Sequence, residues 1–207
     1  MHILKFFIFF IAVAGIAQTS QLSEKDLAVF KKEVAARANN LESLSCDFTQ
    51  VKFIQLMDEK AVSKGKLFYN APNVLKWEYS SPYNYQILFK ENQLHVNDDG
   101  NKSVTNIRSN NLMEKLVGLI SGSVNGRLIT DQENFDVTYS RSGKNIIAWI
   151  IPKDPLIKQM FNEIVMIFTP DHILSSVKLM EDGGDYTQID FRNIKLNQIL
   201  DKAIFEK

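Results

Sequence analysis

The sequence lacks the cysteine pairs that stabilise small exported domains, and it lacks the excess of basic residues that nucleic-acid binding needs. It contains one cysteine, five prolines and nine glycines in 207 residues, and 24 basic side chains balance 24 acidic ones. A single cysteine excludes an internal disulfide, so an apolar core must hold the fold. Zero net charge disfavours a general nucleic-acid binder, which needs excess basic residues to displace counterions from phosphates. With 45% hydrophobic residues, the composition indicates a compact, near-neutral globular protein.

Patterns that carry common catalytic or metal chemistry are also missing. His95 and His172 are the only histidines beyond position 17, and neither has a second His or Cys at the spacing of a metal site. The sequence has no G-x-S-x-G elbow, phosphate-binding glycine loop or dinucleotide fingerprint. Acidic pairs such as Asp98-Asp99 fall in predicted turns, where carboxylates are usually solvated. We therefore expect no enzyme, no metal and no cofactor, with hydrolysis by distant carboxylates as the remaining catalytic alternative.

The long hydrophobic run of the sequence lies at its N-terminus. Residues 6–14 (FFIFFIAVA) follow Lys5 and precede the small residues Gly15 and Ala17. This pattern is typical of a secretory signal peptide, and the run is shorter than the ~20 residues of a membrane-spanning helix. We expect residues 1–17 to be cleaved and residues 18–207 to form a single soluble domain. An uncleaved N-terminal anchor is the alternative.

One helix and eleven strands are predicted from the apolar periodicity. Ser23 is a candidate N-cap, and apolar residues recur at spacings of three and four from Leu27 to Leu41. The period then changes to two, and short turns favour antiparallel hairpins, so we expect one large antiparallel meander. The predicted strands cover residues 45–57, 61–70, 74–80, 85–90, 94–96, 103–108, 135–140, 146–151, 162–168, 173–180 and 186–194.

Cys46 lies at the start of the first predicted strand and allows two interpretations. It is either a reactive thiol or a small apolar residue of the core. We favour the second, because no His or basic residue that would activate a thiol is near it in the sequence.

A second helix is predicted inside the series of strands, over residues 111–121. Asn111 is its candidate N-cap, Glu114 follows at the third position, and Gly122 ends it. Apolar side chains cover most of its surface, so it should be buried on more than one side. Two helices beside many strands suit a curved sheet that is capped by helices.

Two of the predicted strands are hydrophobic on both faces, over residues 146–151 and 164–168. An antiparallel sheet with one solvated face would alternate, so these strands are either covered on both sides or line an internal space. A filled core with helices on one face is the alternative. The predicted cavity wall comprises Phe48, Leu67, Leu75, Trp77, Ile87, Phe89, Trp149, Ile164, Met166 and Phe168 from the strands, with Leu112, Met113, Leu116 and Ile120 from the second helix.

Three segments share their order and spacing with a known family. They are residues 45–50 (SCDFTQ) after the first helix, residues 65–79 (GKLFYNAPNVLKWEY), and the closing stretch from Tyr186 to Phe205. Over essentially the whole mature chain, the sequence resembles the LolA-like family of periplasmic outer-membrane lipoprotein carriers.

The resemblance implies a mainly β fold with α, an incomplete antiparallel barrel capped by helices around an apolar cavity. It implies a periplasmic, chaperone-like carrier that shields the acyl chains of lipoproteins or lipids between the inner and the outer membrane. The expected partners are this acylated cargo, an inner-membrane lipoprotein-releasing ABC transporter and an outer-membrane acceptor, and we expect a monomer. The alternative is a periplasmic half-barrel sensor or interaction module that binds a regulatory protein.

One position departs from the family pattern. Members of the family carry an Arg immediately before the Pro of the second segment, where it bonds to the helical lid, whereas this chain has Ala71 before Pro72. That latch is therefore absent or is made by other residues. We expect apolar contacts of the helix over residues 111–121 to hold the closed state instead.

Overall fold

The structure is a computed structural model that describes residues 19–107 and 127–206. Two expected elements lie outside these ranges: the signal peptide over residues 1–17 and the second helix over residues 111–121. The cavity residues expected on that helix also lie outside them, namely Leu112, Met113, Leu116 and Ile120.

The described residues form one open antiparallel sheet of twelve strands. Its strands are β1 Thr19–Gln21, β2 Ser43–Ile54, β3 Glu59–Asn70, β4 Val74–Ser81, β5 Tyr85–Lys90, β6 Gln93–Asp98, β7 Asn101–Asn106, β8 Phe135–Ser142, β9 Asn145–Pro152, β10 Glu163–Phe168, β11 Leu174–Met180 and β12 Tyr186–Leu196. The predictions of a mainly β fold and of eleven of these strands are confirmed. Strand β1, which has only three residues, was not predicted.

The strand order differs from a simple meander. Strands β2 to β7 form one meander and β8 to β12 form another, and the two meet where β12 pairs with β2. A continuous meander would instead place β8 beside β7. The short β1 pairs with β8, so β1 and β7 are the two edges of the sheet.

Helix α1 spans Glu24–Asn39 and covers one face of the sheet. The Ser23 side chain caps it by accepting a hydrogen bond from the backbone N–H of Asp26 at 3.1 Å, as predicted. Phe30, Val34 and Ala38 are buried at the helical spacing. Burying a large apolar side chain stabilises the fold by about 1.5–3 kcal/mol. The helix is thus held in place mainly by its apolar side.

Among residues 19–107 and 127–206, the helical segments other than α1 are short. They are one helical turn at Pro155–Lys158 and 3-10 turns at Gln55–Met57, Arg127–Thr130, Asp182–Gly184 and Lys202–Phe205. Within the described ranges, no helix combines the length and the hydrophobicity that a membrane-spanning segment needs.

The two faces of the sheet differ in chemistry. We call the face that α1 covers the inner face and the opposite one the outer face. On the outer face, Arg192, Asp47, Lys66 and Glu78 are successive cross-strand neighbours from β12 to β4, so charges of opposite sign alternate in a solvated row. The inner positions of the same strands are mostly apolar, which follows from the period of two.

The inner face carries two apolar clusters. The α1 cluster joins Phe30 and Val34 to the inner residues of β8–β11. The β2–β5 cluster contains Leu44, Cys46, Phe48, Leu67, Tyr69, Leu75, Trp77 and Phe89. Phe191 of β12 packs against both clusters, so the apolar surface continues across the centre of the sheet.

Candidate functional site

Six predicted wall residues come together on the inner face of β2–β5. Leu67, Trp77 and Ile87 are successive cross-strand neighbours, and Leu75 pairs with Phe89 in the adjacent row. Phe48, Leu67, Leu75, Trp77 and Phe89 are buried, and Ile87 is half-buried. They form a continuous apolar surface four strands wide.

A glycine allows the aromatic residues of this surface to pack closely. Gly65 lies opposite Phe48 in the β2–β3 register. A Cβ atom on Gly65 would stand 1.9 Å from the Glu78 carbonyl oxygen and 2.8 Å from Cζ of Phe48. The Phe48 ring occupies this space, with centroids 5.0 Å from Trp77 and 5.1 Å from Tyr79. A side chain at position 65 would therefore displace the aromatic cluster.

The predicted wall residues of β10 lie on the same face but directly beneath the helix. Ile164, Met166 and Phe168 are fully buried in the α1 cluster. The Phe168 ring lies edge-on to Phe30 of α1, with centroids 5.1 Å apart. In this closed arrangement Ile164 and Met166 are packing residues of the α1 cluster.

Trp149 does not lie with the other predicted wall residues. Its neighbours across the sheet are Thr138 and Val165, and its indole N–H donates to Ser140 Oγ at 3.1 Å. Ala148 and Ile150 point inward instead, so Trp149 is on the outer face. Because both sides of β9 are apolar, the sequence pattern could not assign its faces, and the expectation that Trp149 lines the cavity wall took the wrong face of this strand.

An apolar cleft lies between the last turns of α1 and the sheet. Its volume is about 40 Å³, whereas pockets for organic ligands measure ~300–1,000 Å³. A space of this size accommodates water molecules rather than a hydrocarbon chain. The cleft is lined by Val34, Arg37, Ala38, Leu41, Leu44, Cys46, Leu67, Phe168, His172, Ile173, Leu174, Phe191, Ile194 and Leu196.

The contribution of α1 to this cleft was not expected from the sequence. The apolar periodicity predicted the helix, but the role of cover was assigned to residues 111–121, and no site residue was expected on α1. The sequence does contain the signal, because Val34, Ala38 and Leu41 belong to the apolar repeat that predicts the helix.

A hydrogen bond joins α1 to the sheet beside the cleft. Arg37, which is exposed on the last turn of α1, donates a hydrogen bond from Nη2 to the backbone carbonyl of Asp171 at 2.9 Å. Asp171 lies in the turn between β10 and β11. The next residue, His172, places its ring edge-on to Phe30 at 5.4 Å. The turn is thus attached to the helix at two points.

Cys46, the single cysteine of the sequence, lies in the wall of the cleft. It is buried and free. Burial, and then the charge of Asp47, raises its pKa to about 12. A thiol that stays protonated is a poor nucleophile, so Cys46 is a small apolar residue of the wall, as favoured from the sequence.

The apolar surface ends in a small polar group near the β4–β5 turn. The Tyr79 hydroxyl donates to Oε1 of Gln50 at 3.0 Å. Burial raises the pKa of Tyr79, so its hydroxyl stays protonated at neutral pH.

Within the described ranges no group of three or more His, Cys, Asp or Glu side chains is placed to hold a metal ion. The inner face therefore offers mainly dispersion contact, with the hydrogen-bonded pair of Tyr79 and Gln50 at one end.

Comparison with known proteins identifies relatives along most of the chain. The sequence model of the family described as "Outer membrane lipoprotein carrier protein LolA" matches residues 39–207. An outer-membrane lipoprotein carrier protein of Francisella tularensis is 24% identical over 200 residues, which cover 97% of this chain and 88% of the relative. A protein of the same name from Azotobacter vinelandii is 22% identical over 195 residues, covering 94% and 89%. The crystal structure of a LolA superfamily protein from Nitrosomonas europaea superposes with a TM-score of 0.45 at 9% identity, over 86% of this chain and 97% of that one.

Proposed function

Because the chain belongs to the outer-membrane lipoprotein carrier (LolA) family, we propose that it shields the acyl chains of lipoproteins or lipids during their transfer between the two membranes. One observation carries the proposal: the inner face is apolar from β5 across to β12 and continues beneath α1. Moving a hydrocarbon chain through water costs about 0.8 kcal/mol per exposed methylene. A carrier that covers the acyl chain with an apolar surface avoids this cost and needs no catalytic group.

Loading requires the closed cleft to open. The cleft of about 40 Å³ is roughly a tenth of the volume that an organic ligand needs. We propose that α1 moves away from the sheet, so that cargo enters beside Leu44, Cys46 and Leu67. The hydrogen bond from Arg37 to Asp171 then serves as the polar tie that the family's Arg would otherwise supply. The helix expected over residues 111–121 remains, as a proposal, a second cover.

The remaining features of the proposal follow from the family. We propose that residues 1–17 direct export and are cleaved, and that residues 18–207 form one monomeric domain in the periplasm. We further propose that an inner-membrane ABC transporter loads the carrier and that an outer-membrane acceptor unloads it. This role is binding and transfer rather than catalysis.

A second candidate is the half-barrel sensor that binds a regulatory protein. The observation that favours it is the tight packing of the cleft and of the rings of Phe48, Trp77 and Tyr79. A fold that kept its inner face filled would have no room for acyl chains and would use its surface to bind a protein.

Uptake of a fluorescent lipid probe by two matched variants tests the carrier. Ile87→Glu places a carboxylate on the half-buried inner face, where a charge facing acyl chains is costly to desolvate. Thr138→Glu places the same charge on the exposed outer face. We expect the first variant alone to lose uptake while both keep the wild-type melting temperature. Joint loss of uptake and of melting temperature would identify Ile87 as a core residue, and normal uptake by both variants would contradict the proposal.

A further inference from the structure

A second and larger cavity lies beside the cleft. Its volume is about 310 Å³, which falls within the ~300–1,000 Å³ of pockets for organic ligands. The first turns of α1, the β8–β9 hairpin and the turn between β10 and β11 form its walls. We call it the basic cavity, and its walls include Asp26, Val29, Arg141, Lys144, Ile146 and His172.

The charged side chains of the basic cavity leave an excess of positive charge. Among its described lining residues, Arg141 and Lys144 are opposed by one carboxylate, that of Asp26. Arg141 Nη2 lies 3.6 Å from Asp26 Oδ2, whereas a charge-assisted hydrogen bond measures ~2.7–2.9 Å. Both side chains are partly exposed, so this ion pair is weak. Lys144 makes no ion pair with any residue in the ranges 19–107 and 127–206. Both cations are therefore available to an incoming anion.

An apolar surface lies beside these charges. Val29 is 49% exposed, although the next residue, Phe30, is fully buried. Ile146 stands opposite Arg141 in the β8–β9 register and adds a second apolar side chain to the wall. Contact with hydrocarbon would remove the exposed surface of Val29 from water. The basic cavity thus has one cationic side and one apolar side, which suits an anionic amphiphile.

His172 connects the basic cavity to the cleft. This residue lines both spaces, and its ring lies edge-on to Phe30 of α1. The preceding residue, Asp171, accepts the hydrogen bond from Arg37. Because α1 and this turn form walls of both spaces, the movement of α1 that opens the cleft also joins it to the basic cavity.

We propose that the basic cavity binds the phosphate group of an anionic lipid whose acyl chains occupy the opened cleft. A guanidinium group such as that of Arg141 binds phosphate oxygens through two parallel N–H donors, and Lys144 adds a second charge. This inference rests on the proposed carrier function and adds anionic phospholipids to its cargo. Free phosphate has the same charged group, but only a lipid would also use the apolar contacts of Val29 and Ile146.

Two lipids that differ only in their headgroup test the site. Dihexanoyl phosphatidic acid carries a phosphate, and dihexanoylglycerol has the same tails without one. We expect calorimetry to show that the wild-type protein binds the phosphatidic acid about 10-fold more tightly, as for one charged hydrogen bond at a partly exposed site. High salt should reduce this preference, because it screens exposed charges.

Three variants locate the preference. Arg141→Gln and Lys144→Gln should each lose most of it while their affinity for dihexanoylglycerol stays unchanged. Arg192→Gln removes the same kind of charge from the outer face and should keep the wild-type preference. All three side chains are at least partly exposed, so we expect each variant to keep the wild-type melting temperature.

The outcomes separate the headgroup site from the carrier function. Equal wild-type affinity for the two lipids, a preference that does not respond to salt, or one that survives in both cavity variants would overturn the headgroup site and leave the carrier intact. Equal loss in Arg192→Gln would place the site elsewhere and overturn it too. Inorganic phosphate that binds as tightly as the phosphatidic acid would overturn the lipid assignment. Failure of the wild-type protein to bind either lipid would overturn the carrier function and this inference with it.

Discussion

Removing the Arg37 side chain should loosen the attachment of α1. In the closed state this side chain makes the hydrogen bond from the helix to the carbonyl of Asp171 at 2.9 Å. The buried residues Phe30 and Val34 hold the same helix through apolar contacts that Arg37→Ala leaves in place. The variant should therefore fold normally and open more often.

The size of the effect follows from the exposure of this contact. A solvent-accessible hydrogen bond contributes about 0.5–1.5 kcal/mol to stability. Since 1.4 kcal/mol corresponds to a factor of ten, the open population should rise by about 2–10-fold. Local openings of this kind occur below the free energy of global unfolding.

Alkylation of Cys46 measures the open population directly. The thiol lies in the cleft wall, and burial raises its pKa to about 12, so the closed form reacts very slowly at pH 8. We expect iodoacetamide to label Arg37→Ala about 2–10-fold faster than the wild type. Lys32→Ala, which truncates another exposed residue of α1, should label at the wild-type rate. Equal rates in Arg37→Ala and the wild type would refute the idea that this contact holds the cleft closed.

Three further predictions concern stability. Gly65→Ala should lower the free energy of unfolding in urea by roughly 1–3 kcal/mol or more, since the new Cβ meets Phe48 and the Glu78 carbonyl; wild-type stability would contradict the close packing. Phe30→Ala should cost about 3–5 kcal/mol in the same assay, because it leaves a cavity beneath α1; a loss below 1 kcal/mol would mean that α1 is not docked there. The raised pKa of Cys46 stabilises the fold fully below pH 9, and this contribution falls as pH rises from 9 to about 12. Cys46→Ala should therefore lose less stability than the wild type over that interval, and parallel curves would contradict the shift.

Much of the fold could be predicted because its local signals agree with one another. The Ser23 cap and the spacing of Phe30, Val34 and Ala38 predicted α1, and short turns separated the predicted strands of period two. The inner wall of β2–β5 followed from the same alternation, because its outer face is polar.

The predictions failed where the local sequence pattern does not indicate which strand pairs with which, or which face of a strand points inward. Pairing of β12 with β2 joins residues more than 120 positions apart, such as Phe191 and Phe48, and no turn signal reports it. Strand β1 is too short to show a period. On β9, Trp149 and Ile150 are both apolar, so only the actual register decides which one points inward.

Mass spectrometry of the protein purified gently from periplasm tests the central claim most directly. If the inner face carries acyl chains, the intact complex should contain acylated lipoprotein or lipid, and Ile87→Glu should be recovered without it. A wild-type protein that is recovered free of acylated material, alone or with a non-acylated protein partner, would contradict the carrier function.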